Sequence, residues 1–71
     1  MKNKEFRLRS EYIELIKLLK LLGIAESGAH AKYLVDEGMV KLNGHIEYRK
    51  RAKLKGGDKV QVMDWIVEII I

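Results

Sequence analysis

Cysteine is absent from this sequence, so no disulfide can staple the fold and no thiolate can hold zinc. That absence fits a reducing compartment. Proline is absent as well, and the turns read below rest on glycine, asparagine and aspartate. No apolar run approaches the roughly 20 residues that cross a bilayer as a helix. The opening Met1-Lys2-Asn3-Lys4-Glu5 lacks the apolar core of a secretory signal. A cytoplasmic chain with no membrane contact is the expectation. Length is scarce too. The 71 residues make one compact domain spanning 1–71, and a domain of this size buries only roughly 60% of its unfolded surface.

Catalytic equipment is equally thin. No Gly-rich phosphate loop, nucleophile elbow or paired-acid spacing occurs. Ser27 and His30 lie three apart, but at a helix cap with no third group beside them. His30 and His45 have neither cysteine nor a carboxylate set to complete a metal site. The expectation is a protein that is not an enzyme and needs no cofactor or metal.

What is present is positive charge, unevenly placed. The net charge is +4, yet residues 38–59 hold seven Lys and Arg against two acids, a local net of +5, while the rest of the chain sums to −1. A basic excess confined to 22 residues suits an anionic partner, with nucleic acid first among them.

Patterning organises the chain around that stretch. Glu5 to Arg9 alternates polar and apolar residues and reads as a short strand. Ser10 is placed to cap a first helix, with Glu11 and Glu14 in its first turns favouring the positive end of the dipole. Tyr12, Leu15, Ile16, Leu19 and Leu22 recur at helical spacing, and Ile13, Leu18 and Leu21 widen that face. Lys17 and Lys20 fall on its flank, and Gly23 stops the helix. Ser27 opens a second helix running to about Glu37, with Ala31, Leu34 and Val35 as its apolar stripe and Gly38 at its end. Met39 to Leu42, Asn43-Gly44 and His45 to Tyr48 read as a hairpin around a type I′ turn. Arg49 to Lys55 is a basic connection, Gly56-Gly57-Asp58 a turn, and Lys59 to Met63 and Trp65 to Ile71 are strands separated by Asp64. Strand, two helices and several strands make an α+β fold: two packed helices against a small, mainly antiparallel sheet.

Residues 22–62 carry a resemblance. The run from Leu22-Gly23-Ile24-Ala25 through Ser27, Ala31-Lys32 and Gly38-Met39-Val40-Lys41-Leu42-Asn43-Gly44, followed by Gly57-Asp58-Lys59-Val60, resembles the alpha-L RNA-binding motif named after small-subunit ribosomal protein S-four. The motif core spans residues 10–63. Glu47-Tyr48-Arg49-Lys50-Arg51-Ala52-Lys53 looks like the short bacterial members that consist of this domain alone. Two departures stand out: Glu14-Leu15-Ile16 occupies the place of the Arg-Leu-Asp that opens helix one in many members, and Gly28 replaces an arginine that often follows the helix-two serine.

The resemblance implies non-catalytic binding of structured RNA, with ribosomal or transfer RNA as the target and ribosome association as the setting. The residues expected to carry it are Ser27 and Gly28 at a helix N-terminus, Lys32 one turn on, Lys41 pointing out of its strand, and Arg49, Lys50, Arg51 and Lys53 in the loop. Arginines fork onto phosphate while lysines act as point charges. One continuous basic wall is the expected arrangement. About five cations facing a polyanion would give a salt slope of roughly −3 to −5. Five aromatics are few for a binder of unpaired bases, and Tyr33 and Tyr48 read as packing residues. The rival reading is a protein-interaction module, with the basic face meeting an acidic partner or the apolar C-terminal strand pairing with a second copy as a dimer instead of a monomer.

Overall fold

The computed structural model describes residues 2–71. The elements in chain order are β1 (Lys2–Arg7), β2 (Ile13–Glu14), α1 (Leu15–Leu21), α2 (Gly28–Asp36), β3 (Val40–Leu42), β4 (His45–Ile46), β5 (Lys53–Leu54), β6 (Lys59–Val62) and β7 (Trp65–Ile70). Five strands form one sheet in the order β1-β7-β6-β3-β4, and β2 pairs with β5 in a separate two-stranded ribbon. All pairings are antiparallel except β1 with β7, which run parallel. The expected architecture holds: α1 and α2 pack on each other and together against one face of this sheet.

Side-chain alternation decides which face. Val40, Val60, Val62, Val67 and Ile69 are buried, and they share a core with Leu15, Leu18, Leu19, Ala31, Leu34 and Val35 from the two helices. Burying a leucine or valine side chain contributes roughly 1.5–3 kcal/mol, so these residues supply most of the cohesion available to so short a chain. The intervening residues Asn3, Glu5, Lys41, Lys59 and Glu68 are exposed on the opposite, open face.

The first helix departs from its sequence-based expectation. It starts at Leu15, not after Ser10, because Ile13 and Glu14 are drawn into the ladder with Leu54 and Lys53. Ser10 Oγ donates instead to the Tyr12 carbonyl at 2.9 Å. Tyr12 therefore precedes the helix and is exposed, as is Leu21, leaving Leu15, Leu18 and Leu19 as the buried face. A tertiary strand pairing has overridden a local cap.

The second helix follows its sequence closely. Ser27 Oγ accepts from the His30 N–H at 3.1 Å, and His30 Nδ1 in turn accepts from the Glu26 N–H at 3.1 Å. This reciprocal cap satisfies two backbone donors and gives His30 a structural task. Gly38 ends the helix at φ +71, a conformation that favours glycine, and the Tyr48 hydroxyl would stand 3.1 Å from any added Cβ.

The Asn43-Gly44 turn has both residues at positive φ, as a type I′ turn requires. Asn43 Nδ2 donates to Asp58 Oδ1 at 3.0 Å, Asn43 Oδ1 accepts from the Lys59 N–H at 2.9 Å, and Asp58 Oδ2 accepts from the Lys55 N–H at 2.8 Å. The Asn-Gly and Gly-Asp elements of the motif thus brace each other. β4 stops at Ile46, short of the expected Tyr48. The C-terminal strand corrects another expectation. β7 lies between β1 and β6, so it offers no free edge to a second chain, and the outer strands of the sheet are β1 and β4.

Candidate nucleic-acid interface

The basic segment after β4 is not a free connection. Residues Lys53–Leu54 form β5 against β2, and Ala52 and Leu54 are buried. Just before them, the Ala52 carbonyl accepts from the Leu15 N–H at 2.9 Å and the Lys50 carbonyl accepts from the Ile16 N–H at 3.2 Å. Glu14, at the N-cap of α1, makes no side-chain cap bond. The loop's own carbonyls therefore satisfy two of the orphan donors of α1, and the basic segment is fastened to the helix pair.

Two of its cations are held by acids. Glu47 takes Arg49 in a forked pair, Nε to Oε2 and Nη2 to Oε1, each at 3.0 Å, and Glu47 Oε2 also accepts from the Arg49 N–H at 3.0 Å. The Arg49 hydrogen bond lowers the Glu47 pKa, and Glu47 correspondingly raises that of Arg49. The Arg49 side chain nevertheless stays 76% exposed while the Glu47 side chain is only 13% exposed. Two of its five N–H donors are engaged; the rest face solvent in a fixed orientation. Lys50 Nζ lies 2.8 Å from Asp36 Oδ1, which brings the loop to the last turn of α2. Arg51 is exposed and, among the described residues, has no acidic partner.

From Asp36 the surface continues along α2. Lys32 is one turn back, exposed and without an ion pair among the described residues, and Gly28 is one turn further. A Cβ on Gly28 would meet the Lys20 side chain at 3.9 Å. The structure therefore brings Gly28, Lys32 and Lys50 onto one side, flanked by Arg49 and Arg51, and adds Lys20 from the last turn of α1. Lys20 was legible as a flanking residue of its helix; the short 23–27 connection was the signal that it would stand beside the start of α2. Ser27 contributes its hydroxyl to the helix cap, as above, while the Gly28 and Ala29 N–H groups meet no acceptor among the described residues.

Two expected members sit differently. Lys53 stands at the margin of the loop, its ammonium 4.9 Å from the centre of the Tyr12 ring. Lys41 does point out of its strand, but onto the open sheet face, across from Gln61 and Ile46 and on the side away from the helices. Alternation forces this: Val40 is turned into the core beneath the helices, so its neighbour must turn away. The single wall expected from the sequence thus lacks Lys41, and the acids Asp36 and Glu47 interrupt it. Tyr33 and Tyr48, expected to pack, are largely exposed. Tyr48 leans on Gly38 beside the loop.

Among the described residues, no cluster of three His, Cys, Asp or Glu is placed to hold a metal, and no helix is long and apolar enough to span a membrane.

Comparison with known proteins bears on the family and the fold. The S4 domain profile matches residues 6–70. YbcJ of Escherichia coli K12 is 44% identical over 59 residues, which cover 83% of this chain and 84% of that protein, and YbcJ of Shigella flexneri matches to the same extent. The solution structure of Escherichia coli YbcJ, described as revealing an alpha-L motif involved in RNA binding, superposes with a TM-score of 0.75 at 39% identity. That alignment spans all of this chain and 91% of YbcJ.

Proposed function

The chain belongs to the S4 domain family, and from that premise we propose that it binds structured RNA without catalysis, through the helix-side face. The face comprises Lys20, Ser27, Gly28, Lys32, Arg49, Lys50, Arg51 and Lys53. One observation carries the reading: loop 49–52 is hydrogen-bonded to the first turn of α1 while Lys50 reaches the last turn of α2. Backbone contacts among α1, α2 and the loop fix where these cations emerge, so little backbone entropy is lost when they meet a ligand. A rigid array of this kind suits the phosphates and 2′-hydroxyls of an A-form helix, whose base edges lie hidden in a deep groove. Arg49, its guanidinium oriented by Glu47, supplies the fork for a phosphate oxygen pair. The single domain acts in the cytoplasm, and ribosomal or transfer RNA is the class of target.

The test is binding to a hairpin RNA, the matching DNA duplex and an unstructured RNA across a salt series. The hairpin should bind tightest, with a log–log salt slope of roughly −4, since each displaced counterion contributes about 0.9. Replacing Arg49, Lys50 and Arg51 together by alanine should weaken hairpin binding on the order of a hundredfold and flatten the slope by up to about 2.7. The thermal midpoint should fall only slightly, because the Lys50–Asp36 pair is exposed and the Arg49 side chain of the other pair is 76% exposed. Equal binding by parent and triple variant would refute the assignment.

A further inference from the structure

A second concave surface lies beyond the loop's margin, between the end of β1 and the start of α1. It is an open groove of about 970 Å³, at the upper end of the roughly 300–1,000 Å³ typical of small-ligand sites. Its floor is apolar, from Phe6, Leu8 and Ile13, and Leu21 stands exposed at its edge. Its rim carries Arg7, Arg9 and Lys17, offset by Glu5 and Glu14. Arg7 Nη1 donates to the Ile71 carbonyl at 3.3 Å, which leaves most of its guanidinium donors for a ligand. Arg9 and Lys17 have no ion pair among the described residues.

Tyr12 joins this groove to the helix-side face. Tyr12 lines the groove, and its ring lies under the Lys53 ammonium at 4.9 Å. A strand leaving the face at Lys53 therefore enters the groove beside an aromatic ring. The chemistry inside differs from that of the face. An apolar floor with a cationic rim offers nothing to a duplex whose bases are hidden, but it matches unpaired nucleotides, whose base planes seek apolar or aromatic surface and whose phosphates seek Arg and Lys. An acidic peptide would share the charge match; the continuity through Tyr12 and Lys53 with the RNA face favours RNA.

The geometry points to a groove that holds a single-stranded segment flanking the RNA duplex. Tyr12 is the stacking surface, and Arg9 and Lys17 are the principal phosphate contacts. This inference rests on the RNA-binding reading above and extends the substrate from a stem to a stem with an unpaired tail.

The experiment compares a blunt RNA hairpin, the same hairpin with a four-nucleotide single-stranded extension at either end, and an extension whose sugars lack bases. Each is titrated with the parent, with Arg9→Ala/Lys17→Ala and with Tyr12→Ala. The parent should bind one extended hairpin on the order of tenfold tighter than the blunt one, as stacking of one base allows. The baseless extension should lose most of that gain. The Arg9→Ala/Lys17→Ala variant should bind the blunt hairpin like the parent and lose the gain, and Tyr12→Ala should lose it too. No gain in the parent, with blunt-stem binding intact, overturns the groove and leaves the RNA reading standing. A gain that survives Arg9→Ala/Lys17→Ala also overturns it and leaves the groove to a protein partner. Equal weakening of blunt and extended hairpins would merge the groove with the duplex face and overturn its separate role. Binding of the extended hairpin alone, lost in the variants, would keep the groove and sink the duplex reading. Binding of neither sinks both.

Discussion

Lysines occur on both sides of this molecule, but the two surfaces are built differently. On the open sheet face, Lys59 sits in one transverse row with Glu68 and Glu5, and Lys41 in the next with Gln61 and Asn3. Those rows mix lysines with carboxylates and neutral side chains, as an ordinary solvated surface does. On the helix side, Lys20, Lys32, Lys50 and the arginines come from separate segments and are gathered because the loop's carbonyls cap α1 and its Lys50 reaches α2. Under the proposed function, a lysine's worth as an RNA contact depends on what its backbone is fastened to.

The comparison breaks most severely if the fastening is removed. Leu54 is fully buried under the loop, and Leu54→Ala should cost about 2–5 kcal/mol of stability. Denaturant unfolding measures that cost, and any folded fraction should bind hairpin RNA more weakly than the parent although no charge has changed. Unimpaired binding by a fully folded Leu54→Ala protein would show that anchoring is immaterial.

A smaller effect is expected within the face. Lys32→Ala and Lys20→Ala should each weaken hairpin binding roughly five- to tenfold at low salt and flatten the salt slope by about 0.9, the share of one displaced counterion. Isothermal titration over a salt series checks both.

Smaller still is the effect of freeing Arg49. Glu47→Gln should steepen the slope by up to about 0.9 at pH 7. Because Glu47's pKa is lowered in the folded protein below its ordinary 4.5, the pair's stabilisation is complete above the unfolded value and fades as pH falls through the folded one. The thermal midpoints of parent and Glu47→Gln should accordingly differ at neutral pH and converge as the pH falls through the lowered folded-state pKa of Glu47.

The smallest effect belongs to the open face. Lys41→Ala/Lys59→Ala should change hairpin affinity less than about threefold beyond the general field of two lost charges, which moderate salt screens. A loss matching that of Lys32→Ala would return Lys41 to the interface.

Much of this arrangement was readable in advance where the determinants were local. Ser27, Gly38 and Asn43-Gly44 fix cap, stop and turn through their own backbone preferences, and the α2 stripe of Ala31, Leu34 and Val35 is buried as its spacing requires. The start of α1 was misplaced because Ser10 is a good local cap, whereas Ile13 and Glu14 answer to strand partners some 40 residues away. Helical spacing puts Tyr12 on the apolar face of α1 for the same reason, whereas in the fold it precedes the helix and lines the groove.

By itself the sequence determined the motif, the α+β class, the turns and the concentration of positive charge after residue 38, because each follows from short-range periodicity, backbone preference or counting. Only the tertiary structure decided which cations share a surface. That choice depends on the parallel pairing of β1 with β7, which makes β7 an inner strand, and on the face of the sheet that the helices cover, which sends Lys41 away while Lys20 and Lys50 meet α2. Contacts between distant segments leave no periodic trace in a chain; they are fixed by the packing that buries the most apolar surface.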